Sequence, residues 1–249
     1  MNDSAPVSDN QRPADQPGAE IRVTSAMEDY LKAAYRLEQD GGAVTTLRLA
    51  EELGLSGPSV TNMVKRLDEL KLVVHNRYHG IALTAAGQSV ALEVIRHHRL
   101  LELYLSEALG FNLDQVHAEA ERLEHHVSEE LEARMEQVLG FPRFDPHGDP
   151  IPGRDGELPR IDDNALDSLA VGEAGRVSRV SDRDPERLRY LFGLGIKPGS
   201  HIRVIECMPF EGPVRVQIDD NEQLLPYSVA QLVRVETDGE PLPANPVGT

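Results

Sequence analysis

The chain has 249 residues, a formal net charge of −17 and one cysteine, Cys207. This length suits two or three domains, and a single cysteine excludes both a disulfide framework and a thiolate metal cluster within the chain. There is no run of about 18 apolar residues for a membrane span, nor the basic start and apolar core of a signal peptide. Together these features predict a cytoplasmic protein with no membrane partner.

In chain order, the polar and proline-containing residues 1–22 are predicted to form a disordered tail. Hydrophobic periodicity and turn residues then predict five helices and one hairpin. The helices are expected at Met27–Glu38, Thr45–Gly54, Ser56–Leu70, Ala85–Leu109 and Asn112–Leu139, with the hairpin at Leu72–Thr84.

The pattern changes after Phe141–Pro159, a stretch rich in proline and glycine that predicts a linker or extended loop. Four short alternating segments follow, with one small helix at Pro185–Phe192. The alternating segments are AGRVSRVSD, GSHIRVIEC, GPVRVQID and AQLVRVE. This half is predicted to be a small β-barrel, so the fold class is mainly α with a small β domain.

The segment around ELGLSGPS predicts a winged helix-turn-helix, because it joins two short helices that precede a two-stranded wing. Residues 55–80 carry four Lys or Arg against two acids, whereas residues 112–140 carry two against eight. Val60, Val64 and Leu67 recur at the inner face of the second helix. The residues left to face DNA bases are Ser56, Pro58, Ser59, Thr61 and Asn62, and those left for phosphates are Lys65, Arg66 and Arg77. The alternative is a winged helix that is used for protein contacts.

The helix expected at Asn112–Leu139 contains EAERLEHHVSEE, in which acids lie beside imidazoles. Its predicted apolar stripe comprises Val116, Ala120, Leu123, Val127, Leu131 and Val138. Glu121 and Glu124 fall at the border of this stripe, where two carboxylates with little water need a cation. His125 follows Glu121 by four residues, which is a chelating spacing on a helix.

The preceding helix adds a second group of candidate ligands. His98 falls within its apolar stripe, Glu102 follows one turn later, and the next helix offers His117. Carboxylate oxygens and imidazoles without sulfur suit Mn(II) or Fe(II). The alternative is an acidic helix whose edge is only ion-paired.

An enzyme is not expected. A di-iron carboxylate bundle requires Glu-x-x-His on two helices, and neither His125 nor His126 has a glutamate three residues before it. The sequence also lacks an HExxH motif, a glycine-rich phosphate loop and a Cys–His nucleophile pattern.

The chain resembles the diphtheria-toxin-repressor family of metal-dependent transcriptional regulators, which includes iron-dependent and manganese-dependent repressors. The resemblance is carried, in order, by MEDYLKAAYRLE, LAEELGLSGPSVTNMVKRLDELKLV, LTAAGQ, RHHRLLELYL, EAERLEHHVSEE and PHGDPIPG. Residues 166–235 resemble the C-terminal SH3-like domain of longer members. The family implies a homodimer that binds a palindromic operator in double-stranded DNA when metal is bound.

This resemblance suggests a division of the chain into domains. The expected parts are a tail at 1–22, a winged helix-turn-helix domain at 23–92, a helical dimerisation and metal-binding domain at 93–153, a linker at 154–164, an SH3-like (FeoA-like) domain at 165–236 and a tail at 237–249. Metal would bind between the winged helix-turn-helix domain and the helical dimerisation domain.

The resemblance also implies a set of ligands. Asp29 matches a position that is methionine in many iron-type members and aspartate in manganese-type ones, and Glu121 matches one that is cysteine or glutamate, respectively. Glu124 and His125 match ligands common to both types, while His98, Glu102 and His117 match the ancillary site of iron-type members. Asp184 falls near the position of a ligand from the SH3-like domain.

Because Asp29 and Glu121 put oxygen where iron-type members have sulfur, Mn(II) is the favoured ion and Fe(II) is the second choice. Zn(II), Co(II), Cd(II) and Ni(II) are expected to substitute in vitro. Lys32 departs from the manganese-type pattern, which often has a glutamate ligand there, so a close pair of ions is in doubt. The remaining alternative is a winged-helix transcription factor whose acidic helix serves only dimerisation, without a metal response.

Overall fold

The N-terminal part is a helical unit with a two-stranded antiparallel hairpin. The computed structural model of the protein describes residues 23–76 and 80–238. The elements of this unit are α1 (Ser25–Gln39), α2 (Thr46–Leu53), α3 (Gly57–Glu69), β1 (Val73–Asn76) and β2 (Gly80–Leu83). They confirm the three helices and the hairpin expected here, within one or two residues at each end.

Local signals explain where α2 and α3 begin and end. The side chain of Thr45 accepts a hydrogen bond from the backbone N–H of Arg48, and Gly54 ends α2 in the left-handed conformation at φ 64°. Pro58 lies in the first turn of α3, where its missing N–H has no partner to lose. The inward residues of α3 are at most 2% exposed: Val60, Val64 and Leu67.

The long helix α4 (Ala85–Glu107) belongs to two hydrophobic cores. Its first half packs Ala91, Leu92 and Ile95 into the core of the N-terminal unit. Its second half packs a leucine-rich face against the two helices that follow it, α5 (Leu113–Leu123) and α6 (Glu129–Val138). The helix therefore connects the unit that carries α3 to the next helical unit without a break.

The prediction of a single helix at Asn112–Leu139 is wrong. The structure instead has α5 (Leu113–Leu123), a 3-10 turn (Glu124–His126) and α6 (Glu129–Val138). Ser128 begins α6 by accepting a hydrogen bond from the N–H of Leu131. Acidic residues in the first turn of α6 complement the positive end of the helix dipole.

The break changes which apolar residues are buried. Because the helical phase restarts at α6, Leu131 and Val138 are 46% and 67% exposed, and Leu123, the last residue of α5, is 38% exposed. The three therefore do not form one buried stripe. Met135 takes the core position of α6 and is 2% exposed.

The C-terminal part is a six-stranded antiparallel sheet with two helices. Its elements are β3 (Asn164–Ala165), β4 (Ala174–Val180), α7 (Pro185–Gly193), β5 (His201–Cys207), β6 (Val214–Ile218), β7 (Asn221–Leu225), α8 (Tyr227–Ala230) and β8 (Val233–Thr237). The strand order is β3-β8-β4-β5-β6-β7. No pairing between β3 and β7 occurs in the described residues, so the sheet is open and the expected closed barrel is wrong. The edge strand β7 was not predicted, because buried and exposed residues do not alternate along it.

The segment between α6 and β3 ties the helices to the sheet. Gly148, at φ 91°, approaches β4 so closely that a Cβ would lie 2.0 Å from the carbonyl oxygen of Ser178. The carbonyl of His147 accepts a hydrogen bond from the N–H of Val180 at 2.9 Å. This segment is thereby held against β4. No helix in the described residues is both long and apolar enough to cross a membrane.

Candidate metal centre and DNA-binding surface

Two groups of carboxylates and imidazoles meet where the N-terminal unit, the helices α4 and α5 and the sheet approach one another. The inner cluster consists of His98, Glu102, His117 and Asp182, and the outer cluster consists of Asp29, Glu124 and His125. In each cluster, one donor atom from every residue lies within 4.8 Å of the others.

The inner cluster joins three parts of the chain. His98 and Glu102 lie one turn apart on α4, with His98 Nε2 3.0 Å from Glu102 Oε1. His117 on α5 places Nδ1 3.0 Å from the same oxygen and 3.2 Å from Asp182 Oδ2. Asp182 follows β4, so this carboxylate brings the sheet to the helices.

The outer cluster joins α1 to the turn between α5 and α6. His125 Nε2 lies 2.9 Å from Asp29 Oδ1 and 3.6 Å from Glu124 Oε1. Asp29 is on α1 and is half exposed, whereas the side chain of Glu124 is 1% exposed. The break in the predicted helix is what turns Glu124 inward and His125 toward α1.

Lys32 lies between the two clusters. Its Nζ donates to both oxygens of Glu124, at 2.8 and 2.7 Å, and lies 3.4 Å from His98 Nδ1. Burial and the charge of Arg36 lower the pKa of Lys32, while the adjacent Glu124 opposes that shift. A protein cation thus occupies the position where a further acidic ligand is common in manganese-type members.

Electrostatics couple the members of the inner cluster. Burial alone would lower the pKa of His117, but its hydrogen bonds to Asp182 and Glu102 raise it to about 10. Burial alone would raise the pKa of Asp182, but the hydrogen bond and charge of His117 hold it well below its usual range. The metal-free cluster is therefore an imidazolium between carboxylates, and a metal ion would replace its proton.

Two buried groups near the inner cluster have polar atoms without hydrogen-bond partners in the described part of the chain. These atoms are Oε2 of Glu102 and both ring nitrogens of His147. His147 is fully buried, stacks on Phe192 and acts electrostatically on Asp182. Since unpartnered buried polar groups are costly, hard oxygen and imidazole donors with spare lone pairs fit a divalent cation.

The structure brings six of the eight predicted ligands into the clusters: Asp29, His98, Glu102, His117, Glu124 and His125. Glu121 lies at the rim instead, with its side chain 51% exposed and Oε1 3.6 Å from His117 Nε2. Asp184 lies outside both clusters, since it caps α7 by accepting hydrogen bonds from two backbone N–H groups.

Asp182 is the cluster member that sequence reasoning missed. The sequence SDRDPER holds a signal for its neighbour only, because an acid directly before proline and glutamate is typical of a helix N-cap. That signal assigns Asp184 to the cap and removes it as a candidate ligand, but it does not predict the contact of Asp182 with His117.

The surface expected to bind DNA lies around the start of α3. The exposed predicted residues are Ser56, Pro58, Ser59, Asn62, Lys65 and Arg66, whereas Thr61 is partly buried and Arg77 lies outside the described residues. The hydroxyl of Thr61 donates to the carbonyl of Gly57 at 2.9 Å, and the hydroxyls of Ser56 and Ser59 are 2.9 Å apart. Leu55, in the turn before α3, is 45% exposed.

Family models cover most of the chain. Residues 22–81 match the iron-dependent repressor N-terminal DNA-binding domain, residues 84–153 match the iron-dependent repressor metal-binding and dimerisation domain, and residues 164–237 match the FeoA domain.

Individual relatives agree with these matches. The chain is 30% identical to the diphtheria toxin repressor of Corynebacterium jeikeium and 36% identical to the iron-dependent repressor IdeR of Mycobacterium tuberculosis, covering 86% of this chain and 98% of each relative. A solved manganese-dependent transcriptional repressor in complex with manganese superposes with a TM-score of 0.81 at 40% identity, covering 85% of this chain and 99% of that chain. The chain therefore belongs to the diphtheria-toxin-repressor family and is a metal-responsive, DNA-binding transcriptional regulator, not an enzyme.

Proposed function

We propose that the chain is a cytoplasmic repressor of manganese or iron homeostasis genes, that Mn(II) is its preferred activating ion, and that it binds a palindromic operator as a homodimer. The observation that carries this proposal is the outer cluster, which joins a carboxylate on the DNA-binding unit to a carboxylate and an imidazole beside the dimerisation helices. A site that spans two units can bias their relative arrangement.

The donor set supports Mn(II) over softer ions. Both clusters contain only carboxylates and imidazoles, and the single cysteine, Cys207, is exposed in β5. Hard oxygen donors suit Mn(II) and leave Fe(II) as the second choice, whereas thiolate or thioether ligands would favour softer ions. Affinity alone does not select Mn(II), because Zn(II) binds most nitrogen and oxygen sites more tightly.

We assign Asp29, Glu124 and His125 to one ion, and we propose that Glu121, which lies at the rim 4.0 Å from Lys32, turns to join them. His98, Glu102, His117 and Asp182 are assigned to a second, with the unpartnered imidazole of His147 beside it. A bound divalent ion would supply positive charge where carboxylates otherwise repel one another.

The chain's own residues then link occupancy to DNA binding. Asp29 lies on α1, whose buried face packs in the same core as the inner face of α3. Holding Asp29 against the turn with Glu124 and His125 therefore fixes α3 relative to the dimerisation helices. In a homodimer, this would set the two α3 helices about one turn of DNA apart. The exposed start of α3 would read bases, and Lys65 and Arg66 would contact phosphates.

The test begins with selection of a DNA duplex from a random library in the presence of Mn(II). Fluorescence anisotropy then measures binding of that duplex with Mn(II), Fe(II), Zn(II) or a chelator. We expect tight binding with Mn(II), at least tenfold weaker binding in chelator, and loss of the metal effect in Glu124→Ala. Glu107→Ala removes an exposed carboxylate from the end of α4 and serves as the matched control. Equal affinity with Mn(II) and chelator would refute the proposal.

One observation favours a metal-independent regulator. Lys32 already neutralises Glu124, and His125 already contacts Asp29, so protein groups alone connect the units. Calorimetric titration of the chelator-treated chain separates the two candidates. Saturable uptake of Mn(II) that Glu124→Ala weakens supports the metalloregulator, and no uptake supports the alternative.

A further inference from the structure

The imidazole of His125 is held on both sides by consecutive residues of α1. Its Nδ1 lies 2.6 Å from Oε2 of Glu28, and its Nε2 lies 2.9 Å from Oδ1 of Asp29. The ring is 11% exposed and the Glu28 side chain 24%, so this contact is largely shielded from water. Glu28 is not a member of either cluster.

The two ring nitrogens therefore have different roles. Nε2 is the atom that faces the outer cluster, since it is 3.6 Å from Glu124 as well as close to Asp29. Nδ1 faces away from the cluster and toward Glu28. A carboxylate is only an acceptor when ionised, so the short contact requires a proton on Nδ1. The contact of Nε2 with Asp29 requires a proton in the same way. An ion at Nε2 would take the place of that second proton, while Nδ1 keeps its own proton, and this is the form of the ring that can bind a metal ion.

We infer that Glu28 is a positioning residue for metal binding: it holds the proton on Nδ1 of His125 and orients the ring so that Nε2 presents its lone pair to the outer cluster. The inference rests on the proposed function, because it concerns the same ion. It adds to that function a residue that never touches the ion.

The placement of Glu28 also gives it a second effect. Glu28 is on α1, while His125 is in the turn between α5 and α6. Its hydrogen bond therefore links the DNA-binding unit to the helical unit through the same imidazole that Asp29 contacts. If an ion took the place of the Nε2–Asp29 contact, the Glu28 contact would remain to hold the ring in place.

The experiment compares Glu28→Ala and Glu28→Gln with the unaltered chain and with Glu107→Ala, which removes one exposed carboxylate far from the outer cluster. The probe is Mn(II), titrated into chelator-treated protein and followed by the spin-resonance signal of the free ion. Every protein compared, including the reference, carries Asp182→Ala, so that the inner cluster contributes equally and less to uptake in each. We expect Glu28→Ala to weaken Mn(II) binding about 10- to 100-fold. Glu28→Gln keeps a carbonyl oxygen that accepts the Nδ1 proton, so most of the affinity should return.

A second measurement separates orientation of the ring from a general loss of structure. In the Zn(II)-loaded full chain, long-range proton–nitrogen spectra of the histidine rings report which nitrogen of His125 carries the proton. We expect a proton on Nδ1 in the unaltered chain and in Glu28→Gln, and a loss of that signal in Glu28→Ala. Circular dichroism checks that each variant folds. If Glu28→Ala does not fold, the near-isosteric Glu28→Gln still tests the inference.

Unchanged Mn(II) affinity in Glu28→Ala would overturn the inference, as would an affinity in Glu28→Gln as low as in Glu28→Ala. Neither result would touch the proposed function, provided that the parent chain still binds Mn(II). If the parent chain takes up no Mn(II) and Glu124→Ala changes nothing, then the proposed function fails and the inference fails with it.

Discussion

At the scale of single residues, Lys32 is the side chain that most distinguishes this metal centre. Its side chain is 5% exposed, and its ammonium group donates to both oxygens of Glu124, whose side chain is 1% exposed. The pair satisfies a buried charge that would otherwise be unstable. Lys32 therefore stabilises the metal-free chain and competes with any ion that needs Glu124.

Lys32→Met tests this competition with a side chain of similar length and no charge. We expect the metal-free variant to lose about 3 kcal/mol of unfolding free energy, because Glu124 remains buried without its cation. We also expect Mn(II) to raise its melting temperature by more than it raises that of the unaltered chain, since binding to the native state stabilises it. Thermal unfolding with and without Mn(II) measures both effects. An equal rise in the two proteins would contradict the competition.

Several residues of the metal centre could be predicted from the sequence alone. His98 and Glu124 interrupt or border apolar stripes, and such placement of a polar group requires a partner whatever the fold. Asp182 could not be predicted in this way. Its partner His117 is 65 positions earlier in the chain, and only the docking of the sheet brings the two together.

At the scale of elements, the break between α5 and α6 decides which side chains reach the metal centre. The sequence gives only a weak signal for this break. Apolar residues continue at helical spacing past Glu124, although Ser128 and the acids after it favour the start of a new helix. Tertiary contacts decide the outcome: Glu124 turns inward to Lys32 and His98. Sequence periodicity alone therefore predicted one helix, whereas the structure has two.

Ser128→Ala should destabilise this break. The hydroxyl accepts the N–H of Leu131, and loss of an N-cap of this kind costs about 1 kcal/mol. Urea unfolding of chelator-treated protein gives the difference in free energy. Ser89→Ala is the control, because Ser89 lies inside α4 and its hydroxyl only bonds back to the carbonyl of Ala85. If the two variants are equally stable, the cap does not maintain the break.

The helix α6 also presents an apolar face to solvent. Leu131 and Val138 are seven residues apart, so they lie on the same face, and Phe141 follows just beyond the helix. Their exposed fractions are 46%, 67% and 67%, and all three fall in the range that matches the dimerisation domain. A second copy of the chain is therefore the expected cover for this face.

The double substitution Leu131→Lys with Val138→Lys should weaken dimerisation at least tenfold, because four charges would face one another across the junction of two subunits. Sedimentation across a range of protein concentrations gives the dissociation constant. Val171→Lys places a lysine at an exposed apolar position of the C-terminal part and should leave the dimer intact. A double variant that dimerises like the unaltered chain would place the interface elsewhere.

At the scale of the whole molecule, the sheet is held to the two helical units by polar contacts. Arg183 lies 3.0 Å from Asp40 beside α1, Arg189 lies 3.2 Å from Asp114 on α5, and His117 meets Asp182. The first two are exposed ion pairs of small energetic value, and the third is largely buried. Composition and strand patterning predicted that a β domain follows the helices, but these contacts depend on shape and could not be predicted.

The pH dependence of this junction follows from His117. Hydrogen bonds to Asp182 and Glu102 outweigh the opposing effect of burial and raise its pKa to about 10, compared with about 6.5 for an unperturbed imidazole. A pKa that is raised in the folded state gives stability that is fully present below about pH 6.5 and is lost as the pH rises through about 10.

In metal-free protein, the difference in unfolding free energy between the unaltered chain and His117→Gln should therefore be largest near pH 6.5 and shrink steadily toward pH 10. Glutamine can still form a hydrogen bond but never carries the charge, so the difference isolates the imidazolium. Guanidinium unfolding in chelator at several pH values across this range measures it. Asp182 does not complicate the range, because its lowered pKa keeps the carboxylate ionised throughout. A difference that stays constant between pH 6.5 and pH 10 would show that His117 holds the sheet to α5 without its charge.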